Sequence, residues 1–168
     1  MVLPLPFEIY LVCFGAAAFI HGAQTVLAAR MLRNLDVTSR IDARGGLAIG
    51  FRGIKNVGGY TFFIGGSDYK HSLGQTRPTH KTEIRSTPGT IRPLEWYKVK
   101  ISLRGSHIRI ELDDQMIFDC RDDFSQKGRV KFGANSKFTS SAGRFRNIKV
   151  TDPAGKVLLE GLPDLSSK

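Results

Sequence analysis

The chain has 168 residues, 41 % of them hydrophobic and 24 % charged, a length that suits one core and a composition that excludes wholesale disorder. Lys and Arg number 25 against 15 Asp and Glu, a formal charge of +10, and such a surface attracts anions of any kind. The cations run from Arg30 to Lys168, mostly alternating with apolar residues, with no recognition helix or stacking motif; this is the solvated face of a sheet rather than a nucleic-acid reader.

Residues 9–29 hold no formally charged side chain, a run long enough to cross a bilayer. His21, Gln24, Thr25 and two glycines interrupt it, and no basic residue precedes it. Buried strands at 7–14, 17–21 and 24–29, punctuated by Gly15 and Gly22, are the favoured reading. A signal peptide, with 26–28 as a passable cleavage site but no positive n-region, and a membrane anchor are the alternatives. Residues 1–16 are accordingly set apart, as a first strand or a signal or anchor, from one domain over 17–165 and a tail at 166–168.

From Asn34 the period is close to two. Leu35, Val37, Ser39 and Ile41 share one face, with Asp36, Thr38, Arg40 and Asp42 on the other. After the Gly45-Gly46 turn, Leu47, Ile49 and Phe51 alternate with Ala48, Gly50 and Arg52. The second set leaves a shallow trough of small residues with Arg52 at its end. Tyr60, Phe62 and Ile64 then take the core side, leaving Thr61 and Phe63 on the trough side. Residues 68–73 read as a short polar strand or loop edge, and 75–93, rich in Thr, Pro, Arg and Lys, as an extended connection with a strand near 79–85. Strands at 96–103, 107–112 and 115–119, joined by Gly105-Ser106 and Asp113-Asp114, form a meander. Two more follow at 129–134 and 143–151, and a turn at 152–155 leads to a last strand at 156–160. Within 143–151, Phe145 and Ile148 have odd spacing, so a β-bulge at Arg146-Asn147 is needed to return both to the core. About a dozen short strands without a helix indicate an all-β fold, a sandwich or barrel.

Several phrases carry a family likeness: EWYKVKI (95–101), IRI (108–110), LDD (112–114), GRV (128–130) and GRFRNIKV (143–150), with GGLAIGFRG (45–53) and GGYTFFIGG (58–66) upstream. The chain resembles the 3-keto-disaccharide hydrolase-like domain family. That resemblance implies an antiparallel β-sandwich of the concanavalin A-like jelly-roll kind and a carbohydrate-related role; the location stays open, with an extracytoplasmic one, secreted or periplasmic, slightly favoured. Family members that resemble hydrolases carry polar or acidic residues on the concave face of the strand matching 60–64, as in a Gly-Tyr-Glu-x-Gln pattern. Thr61 and Phe63 stand there in this chain, which favours sugar binding over hydrolysis.

Sugars are held by aromatic faces against their C–H patches and by Arg, amides and carboxylates against their hydroxyls. The expected ligand-binding residues are Arg52, Thr61, Phe63 and Tyr69, and the expected partner is an oligo- or polysaccharide, acidic ones included. A glycoside hydrolase acting on 3-keto-glycosides, with Asp68, Glu83 and His71 as its catalytic groups, is the first alternative. A protein-interaction module with a basic surface is the second. No cofactor or metal is expected: His71, His80 and Asp68 match no short ligand spacing, and Asp113-Asp114 and Asp122-Asp123 read as turns. Cys13 and Cys120 read as two isolated thiols.

Overall fold

The computed structural model describes residues 9–12, 34–41, 46–65, 69–135, 142–152 and 154–161. Its strands are β1 (Ile9–Val12), β2 (Asn34–Ile41), β3 (Gly46–Ile54), β4 (Gly58–Ile64), β5 (Lys70–Thr76), β6 (Lys81–Pro88), β7 (Trp96–Arg104), β8 (His107–Leu112), β9 (Gln115–Arg121), β10 (Arg129–Asn135), β11 (Ala142–Thr151) and β12 (Val157–Glu160). Two antiparallel sheets result. One runs β1-β11-β2-β7-β8-β9, with β12 also on β11; the other runs β10-β3-β4-β5-β6. Among the described residues there is no helix.

Strand parity builds the core. Leu35 and Val37, Val99 and Ile101, and Ile108 and Ile110 face inward from one sheet; Leu47, Ile49, Phe51, Tyr60, Phe62 and Ile64 face them from the other. Phe62 meets Phe118 edge-on at 5.9 Å, and Phe132 meets Phe145 at 4.9 Å, so aromatic pairs join the sheets. The meander closes through two tight turns. Gly105 takes the first left-handed position, and Asp113 and Asp114 have φ of 50° and 62° in the second. There Asp113 Oδ1 accepts from the Lys98 N–H at 2.7 Å and Asp114 pairs with Lys98 Nζ at 2.8 Å.

The odd spacing in β11 resolves as expected. Pairing with β2 shifts between Arg146 and Lys149, Asn147 has φ of 53°, and both Phe145 and Ile148 are buried. The N-terminal segment contributes β1, which pairs from Ile9 opposite Phe145 to Val12 opposite Ala142. One sheet therefore takes in a strand from the 1–16 segment. The expected strands at 17–21 and 24–29 and Cys13 lie outside the described residues, and Cys120 is a buried free thiol.

Candidate functional site

The outer face of the five-stranded sheet follows from parity and register. One row across it is Gly133, Ala48, Phe63, Ser72 and Ser86; the next is Lys131, Gly50, Thr61, Gly74 and Glu83. The trough expected from the alternation of Ala48 and Gly50 is thus extended by Gly74 and Gly133 from the neighbouring strands. A Cβ on Gly50 would meet nothing closer than Lys131 Cβ at 3.4 Å, and one on Gly74 nothing closer than Thr82 O at 3.5 Å. Neither glycine has a positive φ. The backbone tolerates a side chain at both positions, so their smallness leaves open surface rather than relieving a clash. Gly58 differs: with φ of 117°, its Cβ would fall 1.9 Å from Thr76 O.

A groove of about 460 Å³ opens at this end of the face, lined by Gly50, Gly59, Thr61, Thr76, Lys55, Arg129 and Lys131, with neighbouring backbone. Phe63 lies two residues along β4 from Thr61, roughly 7 Å away. Past it, Lys70 Nζ and Ser86 Oγ both donate to Glu83, each at 2.7 Å. Tyr69 stands beside them with 74 % of its surface exposed, and it lines a smaller hollow with Lys70, Ser86 and Pro88.

Arg52 is not on this face. Strand parity predicts it there, but β3 bulges between Phe51 and Ile54, and Arg52 has φ of 50°. The side chain turns inward and is 2 % exposed. Its guanidinium donates to Gly105 O at 2.7 Å and Ser125 O at 3.2 Å, while Ser125 Oγ donates back to Arg52 O at 3.0 Å. Nearby, the Tyr60 hydroxyl donates to Asp122 and accepts from the Ser125 N–H. Burial and that carboxylate push the Tyr60 hydroxyl well above the usual phenol range. This clasp ties the β9–β10 connection to the bulge, and Gly128 packs where a Cβ would lie 2.5 Å from the Arg52 carbonyl carbon. The close approach sets Arg129 opposite Gly53 and Lys131 opposite Gly50, at the rim of the groove. The cation expected from Arg52 is supplied by β10.

The proposed catalytic groups are not gathered. Glu83 faces out with Lys70, whereas His71 faces in, 6 % exposed, with Nδ1 accepting from the Gly65 N–H at 3.1 Å. Burial holds the His71 imidazole below its ordinary pKa. Alternation along β5 puts His71 beneath the sheet that Glu83 covers, so the two cannot act on one substrate from the same side. Asp68 lies outside the described residues. Trp96 is half-buried with the Arg146 guanidinium stacked on its ring at 3.9 Å. Among the described residues no three His, Cys, Asp or Glu side chains gather as a metal site.

The other outer face carries a groove of about 440 Å³ among Asp36, Lys100, Ser102, Arg104, His107, Arg109 and Glu111. Part of its charge is paired: Arg109 with Glu111 at 2.9 Å and Lys100 with Glu111 at 3.9 Å, while His107 Nε2 lies 2.5 Å from Asp119 Oδ1 beside it.

No protein-family profile matches the chain, and no curated protein matches it. Solved structures do. The carbohydrate-binding module CBM66 of Bacillus subtilis superposes with a TM-score of 0.60 at 18 % identity, over 83 % of this chain and 92 % of that one. Galectin LEC-6 of Caenorhabditis elegans gives 0.58 at 9 % identity, over 84 % and 96 %. LamAcat of Zobellia galactanivorans gives 0.54 at 8 %, over 84 % and 76 %. At these identities the likeness is one of fold: the chain is an antiparallel, concanavalin A-like β-sandwich.

Proposed function

We propose that the protein is a carbohydrate-binding module whose ligand, an oligo- or polysaccharide, lies across the outer face of the five-stranded sheet. The observation that carries this reading is the open floor at Gly50 and Gly74, where the backbone leaves room for side chains that the sequence omits. Thr61 and Thr76 offer hydroxyls to that floor, and Arg129 and Lys131 offer donors at its rim. Phe63 and the exposed Tyr69 supply rings for the apolar faces of sugars at the far end. Sandwiches of similar fold named as a carbohydrate-binding module and a galectin support the same assignment.

The finer kinship with the 3-keto-disaccharide hydrolase-like domain family belongs to this proposal and rests on the phrases at 95–101 and 143–150. Binding is favoured over hydrolysis because His71 and Glu83 sit on opposite faces of the sheet. Calorimetry against a panel of oligosaccharides tests the proposal. Binding that Thr61→Val or Phe63→Ala weakens supports it, and failure to bind any glycan at roughly millimolar concentration, the weak end of specific affinity, rejects it.

A further inference from the structure

We infer that the groove at Lys55, Arg129 and Lys131 is a subsite for an anionic substituent, a carboxylate or sulfate ester on the bound glycan. The inference rests on the carbohydrate reading and names the ligand's charge. Three cations line this groove and no carboxylate does. Among the described residues none of the three makes an ion pair, although cations elsewhere on the sandwich find acids readily, as Lys70 does with Glu83 and Lys98 with Asp114. The opposite face places acids in a groove of nearly equal volume, Asp36 and Glu111 among its lining. There Glu111 alone answers both Lys100 and Arg109.

The backbone fixes two of the three. The bulge after Phe51 and the close approach of Gly128 hold Arg129 opposite Gly53, and regular pairing holds Lys131 opposite Gly50. Successive outward positions on β10 are roughly 7 Å apart. The two heads therefore reach over the glycine floor from one side, while Lys55, in the β3–β4 turn, closes its end. Thr61 and Thr76 add neutral hydroxyls to the same wall. A neutral sugar would use those hydroxyls and leave the cations solvated. An acidic sugar, seated on Gly50, would set its charge against these donors, and a charge-assisted bond is stronger than a neutral one.

The test is calorimetry on the full chain with three probes: an oligogalacturonate, a neutral galacto-oligosaccharide of equal length, and its sulfated counterpart. Either anionic probe should bind about tenfold or more tightly than the neutral one, and the advantage should shrink when salt is raised to about 1 M. The two anionic arms tell carboxylate from sulfate. The double variant Arg129→Gln with Lys131→Gln should abolish the anionic advantage, so that anionic and neutral probes bind it equally, and Lys100→Gln on the opposite face should leave that advantage intact. Equal binding of all three probes overturns this inference and leaves the carbohydrate reading intact. An anionic advantage that survives the double variant also overturns it, and no binding by any probe removes both.

Discussion

The two outer faces of the sandwich are made from strands of similar length and pleat, yet they treat charge and volume in opposite ways. On the seven-stranded sheet, register sets Lys149 opposite Asp36, Asp36 opposite Lys100, and Lys100 opposite Glu111. Of these cross-strand neighbours Lys100 and Glu111 come within 3.9 Å, and such an exposed pair adds little stability. The five-stranded sheet places Lys131 opposite Gly50, Thr61 opposite Gly74, and Arg129 opposite Gly53. At this end of the sheet Arg129 and Lys131 face glycine, whereas Lys70 at the other end faces Glu83. Grooves of about 440 and 460 Å³ therefore differ in what they can take. The first holds Glu111 against two of its cations, and the second holds three cations that pair with no acid among the described residues.

The comparison can be broken in several places, and the largest effect is on folding. Arg52→Ala removes two charge-assisted bonds, to Gly105 and Ser125, and leaves both carbonyls without that donor. It should cost about 3 kcal/mol in chemical denaturation. Glycan affinity measured on the folded fraction should persist, because Arg52 does not reach the groove. A large affinity loss without loss of stability would return Arg52 to the site. Next come the glycines. Gly58→Ala should cost about 2 kcal/mol, since a left-handed φ and the Thr76 carbonyl both oppose a Cβ. Gly50→Ala should be neutral or stabilising by about 0.5 kcal/mol, because alanine suits a strand interior better than glycine, and yet it should weaken glycan binding about tenfold by raising the groove floor. Thermal melts and calorimetry on the same samples separate the two outcomes.

The smallest effect is a pH dependence beneath the same sheet. His71 is held neutral by burial, its Nδ1 accepts from Gly65, and a Cβ on Gly89 would lie 2.1 Å from its ring. Its folded pKa is lowered, so the unfolded chain binds the proton first. The stability it contributes is complete above the unfolded value of about 6.5 and is lost as pH falls through the folded value. Denaturation at descending pH should show stability falling from about 6.5 downward. His71→Leu should flatten that slope even though it lowers stability at neutral pH. A slope unchanged by the substitution would assign the effect to another group.

Much of this architecture was legible in the sequence, because burial on one side of a strand writes a period of two. Leu35 and Val37, Tyr60 and Phe62, and Val99 and Ile101 announced both their strands and their inward faces. The odd spacing of Phe145 and Ile148 even pointed to the β11 bulge, since both apolar side chains needed the core. The bulge in β3 left no such trace. Arg52 fits an outward position by parity, and nothing local says that its guanidinium will find the carbonyls of Gly105 and Ser125, 53 and 73 residues away. Arg129 and Lys131 were missed for a related reason. Their alternation with Val130 shows an outward face, but only the pairing of β10 with β3 makes it the rim of the Gly50 groove. His71 was misplaced differently: polarity argued for exposure, whereas β5 parity, read from Leu73 and Gln75, puts it inside.

An amide NMR titration of the labelled protein with an acidic oligosaccharide distinguishes the two faces. Saturable shifts should concentrate at Gly50, Thr61, Gly74 and Lys131, while Ser102, Arg109 and Glu111 on the opposite face stay still. Shifts confined to Ser102, Arg109 and Glu111, or absent from both faces at saturating ligand, would contradict binding on the five-stranded sheet.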